Sequence, residues 1–68
     1  MDLKAFGLAL AKERMKKGLS QYELSLQVDK AENYINRVES GDVNISLKSL
    51  FAICQKLEIE PADLLKKS

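Results

Sequence analysis

Gly18, Gly41 and Pro61 cut an otherwise helix-forming sequence into short pieces, and this punctuation constrains the fold more than any other feature of the chain. Glycine costs about 1 kcal/mol in a helix interior and proline about 3, so no long helix runs through these positions. A coiled coil is disfavoured for the same reason, since every candidate heptad run is interrupted. What remains are segments whose apolar residues recur at three- and four-residue steps, the mark of amphipathic helices. A chain of 68 residues builds one small domain from them, expected over residues 1–68, with a thin margin of buried surface.

The first segment places Leu3, Phe6, Gly7, Leu10, Ala11 and Arg14 on one stripe. It predicts a helix from about Leu3 to Lys17, closed by Gly18 in a left-handed C-terminal position, with cations in its last turn. Ser20 and Glu23 form the S-x-x-E capping box of a second, short helix, with Leu19 and Leu24 set as a hydrophobic staple. Leu24 and Val28 are its inward positions. The pattern breaks at Asp29-Lys30. Ala31, Tyr34, Ile35 and Val38 then predict a third helix, ending near Ser40 and Gly41. Asp42 to Ile45 reads as a loop, and Ser46 caps a fourth helix expected to carry Leu47, Leu50, Phe51, Cys54 and Leu57 on one face. Pro61 opens a last short helix through Leu64 and Leu65. The expected fold is all-α: five short helices, no internal repeat and no low-complexity linker.

Composition removes several classes of function. With no histidine and one cysteine, Cys54, the chain has no Ser-His or Cys-His triad, no His-ligated or Cys-based metal site and no internal disulfide. Its carboxylates show no pairing that the sequence places in a pocket. No enzyme activity, metal, cofactor or small-molecule ligand is therefore expected. No apolar run approaches the roughly 20 residues of a membrane span, and Met1-Asp2-Leu3-Lys4 is not a signal-peptide start. The expectation is a soluble, cytoplasmic protein with no effector domain in its 68 residues.

Charge is informative only once it is placed along the chain. The net value is +1, from eleven basic and ten acidic residues. Residues 1–20 hold five basic against two acidic groups, residues 21–41 two against four, and residues 42–68 four against four. A basic first helix beside a mildly acidic middle is not a general polyanion binder. If nucleic acid is the partner, base or shape readout must matter alongside bulk charge.

The second and third helices, with the tight turn between them, span about 20 residues. That spacing suits two helices crossing steeply, the second free to lie in a DNA major groove. Three segments sharpen the reading: Leu19-Ser20-Gln21-Tyr22-Glu23-Leu24, Tyr34-Ile35-Asn36-Arg37-Val38-Glu39-Ser40-Gly41 and Asn44-Ile45-Ser46-Leu47. In register and without gaps, they resemble the phage repressor/Cro-type helix-turn-helix family, the XRE-like regulators. The resemblance covers roughly Phe6 to Leu65. Within the family, the Asn-Ile-Ser-Leu segment is similar to the small controller proteins of restriction–modification systems.

The resemblance implies a compact, lambda-repressor-like DNA-binding domain acting as a transcriptional regulator, with its motif at about residues 21–40 and Ala31–Ser40 as recognition helix. Carried over by position, Glu32, Asn33, Asn36 and Arg37 are the candidate base readers. Their chemistry fits: asparagine can bind adenine through two bonds, arginine can fork onto guanine, and glutamate can accept from cytosine. Gln21 matches the family position that meets a phosphate, at a helix start that favours an anion. Lys30, Tyr34, Asn44 and Lys48 complete the candidate phosphate set.

The sequence also departs from the family pattern. Asp29 stands where the turn usually has glycine, Ala31 where the recognition helix usually has a Ser or Thr cap, and Asp42 where a cation is common. Asp29 can itself take the left-handed turn conformation. Asp42 and Glu32 weaken phosphate attraction, so low affinity per monomer and a homodimer on a two-half-site operator are expected.

Plainer roles stand beside these. Tyr34 and Ile35 can be core or groove-floor packing, and Asn33 and Asn36 solvated surface, although two asparagines in so short a helix are costly in propensity. Arg37 can pair along the helix with Asn33 or Glu32, Glu39 is expected to pair with a cation such as Arg14, and Cys54 belongs to the core. Ile59, Leu64 and Leu65 either form a dimer surface or close the base of the domain. The rival to DNA binding is a protein-interaction module of the same fold, an antitoxin or adaptor.

Overall fold

The computed structural model describes residues 2–66, and five helices account for most of them. They are α1 (Leu3–Lys16), α2 (Gln21–Gln27), α3 (Tyr34–Glu39), α4 (Leu47–Leu57) and α5 (Pro61–Leu65), with no strand among the described residues. One core joins them, built from Phe6, Ala9 and Leu10 of α1, Leu24 of α2 with Val28 just beyond it, Ile35 and Val38 of α3, Leu50, Ile53, Cys54 and Leu57 of α4, and Leu64 of α5.

Local chemistry explains most helix ends. Asp2 caps α1, its Oδ1 accepting from the Lys4 and Ala5 amides at 3.0 and 3.2 Å. The Ser20–Glu23 box is formed in both directions, at 2.9 and 2.8 Å, and Ser46 caps α4 through the Ser49 amide. Pro61 stands at the start of α5, where its missing N–H is no loss.

The first four helices close the same way, on a residue with positive φ: Gly18, Asp29, Gly41 and Glu58. After each, the next amide reaches back to the last turn, as in Lys30 N to Ser25 O at 3.0 Å and Ile59 N to Cys54 O at 3.0 Å. The expected left-handed Asp29 is there, with φ +59°, and Glu58 does the same unannounced by its residue type.

One expectation about packing needs correction, and the base of the domain follows the second of its two alternatives. The inward face of α4 is Leu50, Ile53, Cys54 and Leu57, whereas Leu47 and Phe51 are 69% and 55% exposed. Several registers satisfy the three-and-four spacing over so apolar a helix, and packing against α2 and α5 selects the one containing Ile53. Of the residues at the base, Leu64 is wholly buried and Ile59 packs against the core. They close the domain, and Leu65, partly exposed, is the one left at the surface.

α1 and α3 approach to backbone contact at Gly7. A Cβ built there would lie 2.3 Å from the carbonyl oxygen of Glu39. Only a residue without a side chain lets the last turn of α3 sit this close. The glycine inside the first amphipathic stripe is thus a packing requirement of α3.

Candidate nucleic-acid interface

α3 is shorter than the pattern predicts. It runs over Tyr34–Glu39, while Ala31, Glu32 and Asn33 form a turn leading into it, with Tyr34 N bonded to Ala31 O at 3.0 Å. The chain leaves the left-handed Asp29 in a non-helical course, and Ala31 has no side-chain oxygen to cap a helix there. Asn33, at the cap position, makes no side-chain cap bond. The cap comes from α2 instead: buried Ser25 Oγ accepts from Ile35 N at 3.0 Å and donates to Gln21 O at 2.8 Å. Nothing in the local sequence of α3 signals this support, since it arises from helix crossing.

The four candidate base readers are all solvent-exposed, Glu32 and Asn33 on the entry turn, Asn36 and Arg37 on α3 itself. Ile35 and Val38 face inward. Among the described residues, the Arg37 guanidinium forms no ion pair, so the alternative of a partner along its own helix is not realised. Tyr34 is half-buried against the core, with Lys30 Nζ 5.3 Å from its ring centroid.

Behind this face lies a polar cluster. Arg14 Nε and Nη2 fork onto Glu39 at 2.7 and 3.2 Å, and Arg14 Nη1 donates to Leu19 O at 2.7 Å. The expected Arg14–Glu39 pair is therefore present, and it ties α1 to α3. Gln21, half-buried, donates from Nε2 to Glu39 Oε1 at 2.8 Å and accepts from Asn36 Nδ2 at 3.1 Å. No spacing rule connects these four positions, and sequence reasoning missed the link from Gln21 to Asn36.

Of the other candidate phosphate residues, Asn44 and Lys48 are exposed. Lys30 and Lys48 meet at one groove of about 350 Å³ between the α2–α3 turn and the start of α4, which Ser46 and Ser49 also line. Charge there is mixed, because Asp29 lines the same groove.

Cys54 lies outside this region. Burial first, then nearby Asp63 and Glu60, push its thiol pKa above the ordinary 9.0. The described residues contain no cluster of three potential metal-ligating side chains, and no helix among them is long and apolar enough to cross a membrane.

A helix-turn-helix family profile matches residues 10–64. The chain belongs to that family. α2 and α3 both lie within the matched residues. The restriction-modification controller protein C.AhdI from Aeromonas hydrophila superposes with a TM-score of 0.87 at 38% identity, over 93% of this chain and 91% of that one. The clp gene regulator ClgR from Corynebacterium glutamicum superposes with a TM-score of 0.91 at 28% identity. Its two structures each match 98% of this chain, and the match covers 71% and 86% of theirs. A search of the curated proteins finds no match. Both solved relatives are regulators by description, and the controller is the type that the Asn44–Leu47 segment suggested.

Proposed function

We infer that this protein is a sequence-specific, DNA-binding transcription regulator that presents α3 and its entry turn to the major groove. The observation that carries the reading is the arrangement of α3. Its entry turn offers Glu32 and Asn33 to solvent and its outer side Asn36 and Arg37, while Ser25, Gly7 and Arg14 brace it from behind. Readers on a firmly held short helix lose little freedom on binding, and residues at the start of a recognition helix are the ones that reach base edges. Lys30, Asn44, Lys48 and the remaining N–H of Gln21 serve the phosphates. Action is by occupancy of the operator, which blocks or recruits polymerase, and not by catalysis.

The functional unit in this reading is a homodimer on two half-sites about one helical turn apart. Selection of duplexes from a random library at about 100 mM salt tests it. A palindromic consensus supports specific, dimeric binding, and a single unpaired half-site removes the dimer. No enrichment, with binding that vanishes steeply as salt rises, leaves only phosphate contact and defeats the reading.

One observation favours a second reading, a protein-interaction module. Leu47 and Phe51 stand one turn apart on the outer side of α4, both more than half exposed, as a partner-binding helix face would. The double variant Asn36→Ala, Arg37→Ala separates the two: it abolishes duplex binding in the first and leaves partner binding intact in the second.

A further inference from the structure

Four side chains from three helices form one hydrogen-bonded chain that starts half-buried at Arg14 and ends exposed at Asn36. The direction of every link is dictated by donor and acceptor chemistry. A guanidinium only donates, and the carboxylate it forks onto only accepts. Gln21 must therefore turn its NH2 group to Glu39, which leaves its carbonyl oxygen for Asn36. Asn36 must answer with its own NH2, because two carbonyl oxygens facing each other would repel. An amide whose two ends are otherwise nearly interchangeable is thus given one orientation by a carboxylate it never touches.

We propose that Gln21 and Glu39 are positioning residues that set the polarity of the Asn36 amide, so that Asn36 selects a base presenting an amino donor in the major groove, adenine before cytosine. This rests on α3 being the DNA-reading element. With one Nδ2 hydrogen held by Gln21, Asn36 keeps Oδ1 and a second N–H, the pair that adenine N6 and N7 require. A reversed amide would offer donors to guanine O6 and N7 or to thymine O4, but reversal breaks the link to Gln21. The chain therefore adds specificity without adding a contact to DNA.

The test is duplex selection with the parent protein and with Asn36→Ala, Gln21→Met and Glu39→Gln, followed column by column, with a thermal melt of each. Asn36→Ala assigns the base-pair column that Asn36 reads. Gln21→Met keeps side-chain length, removes both amide bonds and leaves the Arg14–Glu39 pair in place. We expect adenine preference in the assigned column to fall from about tenfold to under about threefold while the other columns keep theirs. Glu39→Gln, if it folds, does the same, because an amide at position 39 accepts either orientation of Gln21. Gln21→Met also loses its phosphate contact, which lowers affinity for all duplexes alike and leaves column preferences as they are. The proposal is therefore overturned if the adenine preference in that column is unchanged, whatever the overall loss of affinity. It is equally overturned if the column prefers a G·C pair to an A·T pair, or if no column responds to Asn36→Ala. Failure of the parent protein to enrich any duplex defeats the DNA-reading assignment itself, and this proposal with it.

Discussion

α4 closes its N-terminus with its own Ser46, whereas α3 has an idle Asn33 at that position and relies on Ser25 of α2. The contrast continues along both helices. α4 has eleven residues and a continuous inward face, and α3 has six residues and two inward side chains, Ile35 and Val38. α1 ties both, through the part-buried Arg14–Glu39 fork to α3 and through the exposed Lys17–Glu58 pair at the end of α4. A six-residue helix is far below the length that is stable alone in water. α3 is therefore held in shape by its surroundings and not by its own length. α4 is held by its own sequence, and its outer residues include two apolar side chains with no partner in the core.

The sharpest way to break this contrast is to remove what holds α3. Arg14→Ala leaves the Glu39 carboxylate, whose side chain is 7% exposed, without its cation. Breaking such a pair from one side costs about 3 kcal/mol, a large share of the stability of a domain this small. Urea denaturation measures it. A loss under about 1 kcal/mol would mean that Gln21 alone suffices to hold the carboxylate. The next effect is that of Gly7→Ala. Its methyl meets the Glu39 carbonyl at 2.3 Å, so α1 and α3 must separate, at a net cost of about 2 kcal/mol even after the gain in helix propensity. A stabilised variant in the same denaturation experiment would show that the two helices part freely.

These supports also mark where the sequence stops being legible. Signals confined to a few neighbouring residues were readable: the Ser20–Glu23 box, Gly18 and Gly41 as helix stops, Ser46 as cap and Pro61 as start. Asp29 was readable as a turn residue because its side chain tolerates positive φ, whereas nothing about glutamate marks Glu58 as one. The stripe on α4 was misassigned at Leu47 and Phe51 because spacing fixes a period but not which register meets the core. Leu64 could not be placed for a related reason, since only the packing of α5 decides whether it is covered. The outer face of α3 was legible at Asn36 and Arg37, whereas Glu32 and Asn33, expected on the helix, lie on its entry turn. The bracing of α3 by Ser25, Gly7 and the Gln21–Asn36 link was not legible, because those partners are set by helix crossings and not by sequence separation.

A paired substitution sharpens the comparison at smaller scale. Ser46→Ala removes the cap of α4 and costs about 1 kcal/mol. Asn33→Ala at the equivalent position of α3 removes no cap bond, and its cost stays within about 0.5 kcal/mol. Chemical denaturation of both variants checks the difference. Equal losses would mean that α3 depends on its own cap after all, and Ser25→Ala should then be harmless.

The smallest effect expected is in the pH dependence of stability, and it separates an exposed tie from a local one. Glu58 is held below the usual 4.5 by the hydrogen bond from Lys17 and then by its charge. Glu23 is lowered by the backbone N–H of Ser20 and then by its side chain. In both, the folded value lies below the unfolded one, so each stabilises the fold above about pH 4.5 and loses that contribution as pH falls through the folded value. Denaturation midpoints taken from pH 7 down to pH 3 should drop, and Glu58→Gln and Glu23→Gln should each flatten the fall. Salt then distinguishes them. At about 1 M the Debye length is near 3 Å, so the part due to Glu58 should shrink, whereas the part due to Glu23, made by short bonds to its own capping residue, should persist. If both fade together in salt, the Glu23 shift is set by long-range charge and not by the cap.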